Sequence, residues 1–389
     1  MSNGRTTPAL KSKLPGLGPS IFGVMTAKAQ AAGALNLAQG FPNYPPPPDL
    51  VDAAVRAVRD GYNQYAPTPG LPELRRLVAD HVRRYYGHGA DPDAEITITT
   101  GATEALFIAL SAVTFPDDEV ILLEPCYDCY APTVVLAGGI PIPVPLNEQK
   151  GFGVDWEMVK RRINRKTKAI VLNTPHNPTG AVLTEADMNA LITLLQNNDI
   201  IVVSDEVYEH LVFDDLRHES VLRYPDLSAR AIMIGSFGKT LHVTGWKTGY
   251  VVAPPAYTVE LRKYHSQTVF ASATPFQKAI VDYFALHPDH ADGLRAFFQA
   301  KRDLFGEAMK QTRLVPYPVS GSYFQLYGYS GISDEPDFEF CDRLIRECGV
   351  AAIPVSAFYR DKTDHKLLRF CFAKEDGQLL QAAERLAKL

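Results

Sequence analysis

The chain predicts an α/β fold, with a mainly parallel seven-stranded sheet between helices in a large domain, joined to a smaller α+β domain. Three observations carry this. Between Ile96 and Ala253, short β-rich apolar runs alternate with helical stretches, as they do in a parallel sheet covered by helices. Past Leu286, helices and strands mix without that alternation. The 389 residues also exceed what one core usually serves. The resulting division is an amino-terminal arm over 1–44 that packs with the small domain, a large domain over 45–286 and a small domain over 287–389.

The arm is punctuated by Pro and Gly, then reads as helix from Ser20 through Ala32, ahead of Leu35-Asn36-Leu37-Ala38-Gln39-Gly40-Phe41. Pro45 to Pro48 stays extended because proline fixes φ. Asp49 then caps an amphipathic helix running to about Asp60. The strand candidates are Ile96–Thr100, Val120–Glu124, Ile140–Leu146, Ala169–Leu172, Ile200–Ser204, Ala231–Ile234 and Tyr250–Ala253, with helices such as Thr103–Val113 and Glu185–Gln196 between them. Beyond them come a charged helix around His290–Thr312, the run Gly321–Leu326, a helix around Asp337–Cys348 and an apolar strand over Leu367–Phe372.

Composition narrows the function. A net charge of −5 with 21% charged residues gives no basic excess to attract nucleic acid. No apolar run approaches a membrane span or a signal peptide. The five cysteines form no regular framework, which points to a reducing cytoplasm. Cys126 and Cys129 have CxxC spacing, but no second CxxC or spaced His pair accompanies them, so they read as incidental thiols and no metal is expected.

The most informative segment is Ser236-Phe237-Gly238-Lys239, continuing to Lys247 and Tyr250. It sets Lys239 in a small-residue loop at a strand end, where α/β folds place ligands. Two readings fit: a desolvated amine that bonds a carbonyl covalently, with Ser236 and Lys247 on a phosphate, or a surface loop with solvated lysines. Other segments favour the first. Thr100-Gly101-Ala102-Thr103 passes from strand to helix and offers free N–H groups and a hydroxyl to an anion. Asp205 ends a buried strand, where a carboxylate needs a partner, and a pyridinium N–H is one; Tyr208 follows within reach of a ring hydroxyl. Asn177 lies in the rigid turn Asn173–Gly180 and can offer its amide to an oxygen, while Asn173 and His176 read as plain turn residues. Arg369 interrupts an apolar strand and needs an anion, either a substrate carboxylate or a structural ion pair.

The order TGATEAL, NTPHNPTG, SDEVY, SFGKTLHVTGWKTGY and LLRFCF resembles the class I/II, fold-type I pyridoxal phosphate aminotransferases over nearly the whole chain. LAQGFP, NQYAP and NTPHNP bring it close to the subgroup of methionine aminotransferase and kynurenine aminotransferase, the latter also known as cysteine-conjugate β-lyase. The resemblance implies pyridoxal 5′-phosphate as cofactor, with Lys239 as its covalent lysine, Asp205 on the ring nitrogen, and Tyr208 and Asn177 on the ring oxygen. Tyr127 would stack on the ring; Gly101, Ala102, Thr103, Ser236 and Lys247 would hold the phosphate. Many relatives have arginine at Lys247, and a lysine keeps the charge without the fork. Tyr65 would reach the phosphate of a neighbouring subunit in a homodimer with shared sites. Gly40, Asn177 and Arg369 would bind the substrate carboxylate. Phe22 and Phe270 would face a large neutral side chain, or be ordinary core or interface residues.

The implied activity moves the amino group of methionine, an aromatic amino acid or kynurenine to a 2-oxo acid by a ping-pong route. The runner-up is a C–S β-lyase, and a cofactor-binding regulatory protein on the same fold is the alternative of another class.

Overall fold

The computed structural model describes residues 7–389. Residues 1–6, the start of the expected arm, lie outside the described residues. A short strand, β1 (Leu35–Asn36), precedes the seven strands of the main sheet: β2 (Ile96–Thr99), β3 (Glu119–Glu124), β4 (Ile140–Pro145), β5 (Thr167–Asn173), β6 (Ile201–Asp205), β7 (Ala231–Ser236) and β8 (Gly249–Val252). They lie in the order β2-β8-β7-β6-β5-β3-β4.

Strands β3 to β7 pair in parallel, whereas β8 is antiparallel to both neighbours. The reason is the connection. A parallel return needs a crossover, usually a helix laid across the sheet. Residues 237–248 form only a helical turn (Phe237–Thr240) and a 3-10 turn (Thr244–Trp246), so the chain doubles back beside β7. Val202, Val203, Ile232 and Ile234 are fully buried in the sheet, each contributing roughly 1.5–3 kcal/mol relative to exposure.

Register gathers the site. Asn173 pairs beside Asp205, and Gly249 lies between Ser236 on β7 and Thr99 on β2. The helix Gly101–Val113 begins at the same edge and packs on β6, β7 and β8. Gly249 makes that junction possible: a Cβ there would stand 2.9 Å from the Ala102 nitrogen and from the Gly235 oxygen.

A second sheet follows in the chain: β9 (Val315–Pro316), β10 (Phe324–Gly328), then β11 (Val350–Ala351), β12 (Ile353–Pro354) and β13 (Leu367–Cys371). Four of these make an antiparallel sheet in the order β12-β13-β10-β9, while β11 pairs in parallel with β1. The helix Leu294–Met309 packs against the last helix, Asp376–Leu386.

Several local expectations need correction. The helix expected to open at Asp49 spans Pro48–Arg59, with Pro48 in its first turn, where a missing N–H costs nothing. Asp49 instead faces His287 Nε2 at 2.8 Å. A helix over Pro72–Tyr86, ended by Gly87 at φ +71°, was not expected from the sequence. The charged helix starts with a 3-10 turn at His290–Gly293, and the helix from Asp337 turns into a π-turn over Leu344–Cys348. Among the described residues, no helix is long and apolar enough to cross a membrane.

Candidate active site

A cavity of about 280 Å³ opens at the carboxyl ends of β5, β6 and β7. Ligands in open α/β sheets bind at this edge. It gathers Lys239, Asp205, Tyr208, Asn177, Tyr127, Gly101, Ala102, Thr103, Ser236 and Lys247 with Phe22, Gly40 and Arg369, which come from both ends of the chain.

Lys239 lies on the helical turn Phe237–Thr240, not in the open loop expected, and the turn aims its amine inward. The amine donates to the Tyr323 hydroxyl at 3.0 Å and the Gly40 carbonyl at 3.4 Å, and Tyr323 itself donates to Gly40 at 2.8 Å. Burial lowers its pKa to about 8, with Lys247 and Arg369 adding to the effect and Asp205 opposing it. The amine is therefore far readier to lose its proton than a solvated lysine.

Asp205 ends β6 with its carboxylate buried. Tyr130 donates to Oδ2 at 2.6 Å, and the Val207 N–H lies 3.4 Å from Oδ1. Burial raises its pKa to about 6 against the lowering effect of Tyr130. A carboxylate held this way gains from a cationic N–H brought into the cavity.

From Asp205 a chain of hydrogen bonds runs to Arg369. The Asn173 amide donates to the Asp205 carbonyl at 2.9 Å, the Asn177 N–H donates to Asn173 Oδ1 at 2.8 Å, and Arg369 donates to Asn177 Oδ1 at 2.7 Å. Asn173 is thus a positioning residue at the end of β5, not the plain turn residue expected. Arg369 also donates to the Ala38 carbonyl at 2.7 Å, but its Nε is buried without a partner among the described residues. Its guanidinium lies 4.0 Å from the Phe324 ring centroid, 5.1 Å from Phe22 and 5.3 Å from Phe358. Burial lowers its pKa to about 10, still leaving it charged at neutral pH. Among the described residues no carboxylate pairs with it, so the structural ion pair considered from sequence is not formed there.

The opposite wall is the start of the helix Gly101–Val113. Glu104 accepts the Thr100 N–H at 2.8 Å and fixes the turn into the helix, leaving the first helical N–H groups without partners in the helix. Gly101 sits at φ +75°, and a Cβ there would come 3.2 Å from Lys247 Cε and 3.3 Å from its amine. Glycine therefore leaves Lys247, itself at φ +52°, room to lie over the helix start.

Tyr65 and Phe270 are not in this cavity. They are 81% and 49% exposed and meet edge to face at 5.0 Å. Tyr208 is buried, its ring 5.0 Å from Tyr323 and 5.8 Å from Phe324. Tyr127 packs on Phe22 at 6.2 Å. Sequence reasoning missed Tyr130 and Tyr323, which come from segments 75 and 84 residues away from the groups they bond. His176 is turned away onto Thr179, 2.7 Å from its hydroxyl, and the Cys126 and Cys129 thiols are free.

The family model "Aminotransferase class I and II" matches residues 32–386. The methionine aminotransferase of Escherichia coli (strain K12) is 45% identical over 389 residues, covering 100% of each chain. Human kynurenine–oxoglutarate transaminase 1 is 35% identical, covering 91% of this chain and 92% of its own. The crystal structure of an Escherichia coli protein with an identified methionine aminotransferase function superposes with a TM-score of 0.95 at 44% identity, covering 98% of this chain and 100% of that one. With its family model spanning both sheets and its relatives aligned from end to end, the chain belongs to the class I and II aminotransferases, pyridoxal-phosphate-dependent transferases of fold type I.

Proposed function

We propose that this cavity binds pyridoxal 5′-phosphate and that the enzyme moves the amino group of a large neutral L-amino acid, methionine, an aromatic residue or kynurenine, to a 2-oxo acid in two half-reactions. The observation that carries the reading is a buried amine with its pKa lowered to about 8, enclosed with a buried carboxylate and an arginine that has no anionic partner among the described residues.

The residues fit the cofactor. Asp205 would hold a proton on the ring nitrogen, and Tyr208 and Asn177 would donate to the ring oxygen. Tyr127 would cover a ring face. The helix start at Gly101, Ala102 and Thr103, with Ser236 and Lys247, would hold the phosphate. When bound, the ring supplies an electron sink for the pair left at the substrate Cα. The Lys239 amine would take the proton from the substrate Cα onto its own nitrogen, a task suited to an amine that loses its proton near neutral pH. Arg369, which lines the same cavity as Lys239, would orient the substrate carboxylate.

Donor preference rests on what lines the rest of the cavity. Its cations among the described residues are Lys239, Lys247 and Arg369, and each has a role already. A side-chain carboxylate would be buried without a partner, which is costly, whereas Phe22, Phe41 and Tyr127 favour an apolar chain. The methionine and kynurenine enzymes among the relatives support the same preference. The test is kcat/KM for methionine, phenylalanine, kynurenine and aspartate with one acceptor. The three neutral donors should overlap, because apolar packing discriminates weakly. Aspartate as the best donor would overturn the assignment.

The reading extends to a homodimer. Val51, Val55 and Val58 stand exposed on one face of the helix Pro48–Arg59, and Tyr62, Tyr65 and Phe270 are exposed as well. A second copy covering them would bring Tyr65 and Phe270 to its own cavity. The pairing of β1 with β11 supports an arm over 1–44 packed with a small domain over 287–389, beside a large domain over 45–286. Five free cysteines support a reducing compartment, the cytoplasm.

A further inference from the structure

A second group of ligating side chains lies outside the active-site cavity. His81, on the helix Pro72–Tyr86, meets Glu209 and His210, which follow β6, and one ligand atom from each lies within 4.8 Å of the others. His81 Nε2 is 3.1 Å from Glu209 Oε2. Two ligands on one tetrahedral zinc ion, each bonded at about 2.0–2.2 Å, stand roughly 3.3–3.5 Å apart. This one pair therefore stands a few tenths of an ångström closer than two ligands on one ion, and all three ligand atoms lie within 4.8 Å of one another.

Hydrogen bonding explains only part of the cluster. Glu209 is well satisfied, for the Tyr86 and Tyr250 hydroxyls donate to its two oxygens and His81 shares a hydrogen with it. His210 is different. Its Nε2 is buried and has no hydrogen-bond partner among the described residues, and its ring meets that of His81 edge to face with centroids 5.0 Å apart. Buried polar atoms are almost always paired, so an orphaned imidazole nitrogen beside a carboxylate and a second imidazole needs an explanation. Next to it lies a separate cavity of about 380 Å³, lined by Glu209, His210, Tyr85 and Tyr86 among others.

The geometry points to a site for a zinc-type divalent cation held by His81, Glu209 and His210, with a water from the adjoining cavity in the fourth position. Two imidazoles and a carboxylate are a donor set that suits zinc. The cation takes the place of the hydrogen shared by His81 and Glu209, and the His81 ring carries its proton on Nδ1 instead. Tyr86 and Tyr250 stay on the carboxylate as outer donors, the support that metal-ligating carboxylates usually have. Because Glu209 directly follows Tyr208, the ion ties the helix Pro72–Tyr86 to the segment that faces the cofactor.

The test uses the purified holoenzyme, stripped with chelator and dialysed against zinc chloride, with metal counted by mass spectrometry and melting followed in parallel. One zinc per chain and a higher Tm are expected. His210→Ala and His81→Ala should each weaken zinc binding at least about tenfold. Cofactor absorbance and elution volume show whether each variant has folded. Cobalt(II) added to the stripped wild-type enzyme gives a measurement free of mutation, and the intense visible bands of a four-coordinate ion are expected. Substoichiometric zinc, zinc bound by both folded variants as tightly as by wild type, or a cobalt spectrum like that of the aqueous ion would each overturn the site.

Discussion

Asp205 depends on a phenol that lies far from it in sequence. Tyr130 donates to its carboxylate at 2.6 Å and lowers a pKa that burial raises to about 6. Tyr130→Phe removes that bond and keeps the ring. A hydrogen bond to a charged group is worth about 1.5–3 kcal/mol, so a fall in kcat/KM of roughly 10- to 100-fold is expected. The sign of the pH effect is fixed as well: without its donor the carboxylate protonates at higher pH, and the acid limb of the profile should move up. An unchanged profile would show that Tyr130 does not act through Asp205. At Lys239 the loss should be larger. Lys239→Ala should lose covalent attachment, read as the cofactor mass retained on the chain after borohydride reduction. Turnover should fall at least about 10²- to 10⁴-fold with the general base gone. Near-normal turnover in that variant would remove Lys239 from the chemistry.

At the scale of elements, the turn after β5 makes a prediction about acid stability. His176 is buried there, and burial lowers its pKa to about 3. The unfolded chain takes up a proton on this histidine near pH 6.5, whereas the folded chain resists until about pH 3. Stability present above pH 6.5 is therefore lost as pH falls from 6.5 toward 3. His176→Gln cannot charge, so its urea midpoint should fall less than that of wild type between pH 7 and pH 5. An equal fall in both would place the acid sensitivity elsewhere.

The seven strands of the main sheet were legible because each is a β-rich run closed by turn residues, and the site segments because they sit at strand ends. The direction of β8 was not legible as an apolar run; it follows from the short connection before it. The helix Pro72–Tyr86 was missed although Pro72 at its start and Gly87 after its end are the usual signals, and Leu74, Val78 and Val82 mark its buried face. Tyr130 and Tyr323 left no local signal, since their roles depend on register between distant segments.

At the scale of the molecule, one chain does not bring every expected group to its own cavity. Tyr65 and Phe270 pack on each other at the surface, and the homodimer reading assigns them to the partner's site. Lys239→Ala mixed with Tyr65→Ala should regain activity when subunits exchange, because a mixed dimer restores one complete site. No recovery despite proven exchange would count against shared sites. The central claim is that Lys239 and its neighbours transfer an amino group. The most direct measurement mixes cofactor-loaded enzyme with excess methionine and no acceptor, then quantifies 2-oxo acid and ammonia. The account predicts one 2-oxo acid per active site, no ammonia, and a stop until a second 2-oxo acid is added. Continued release of ammonia, or no 2-oxo acid from any of the neutral donors, would contradict it.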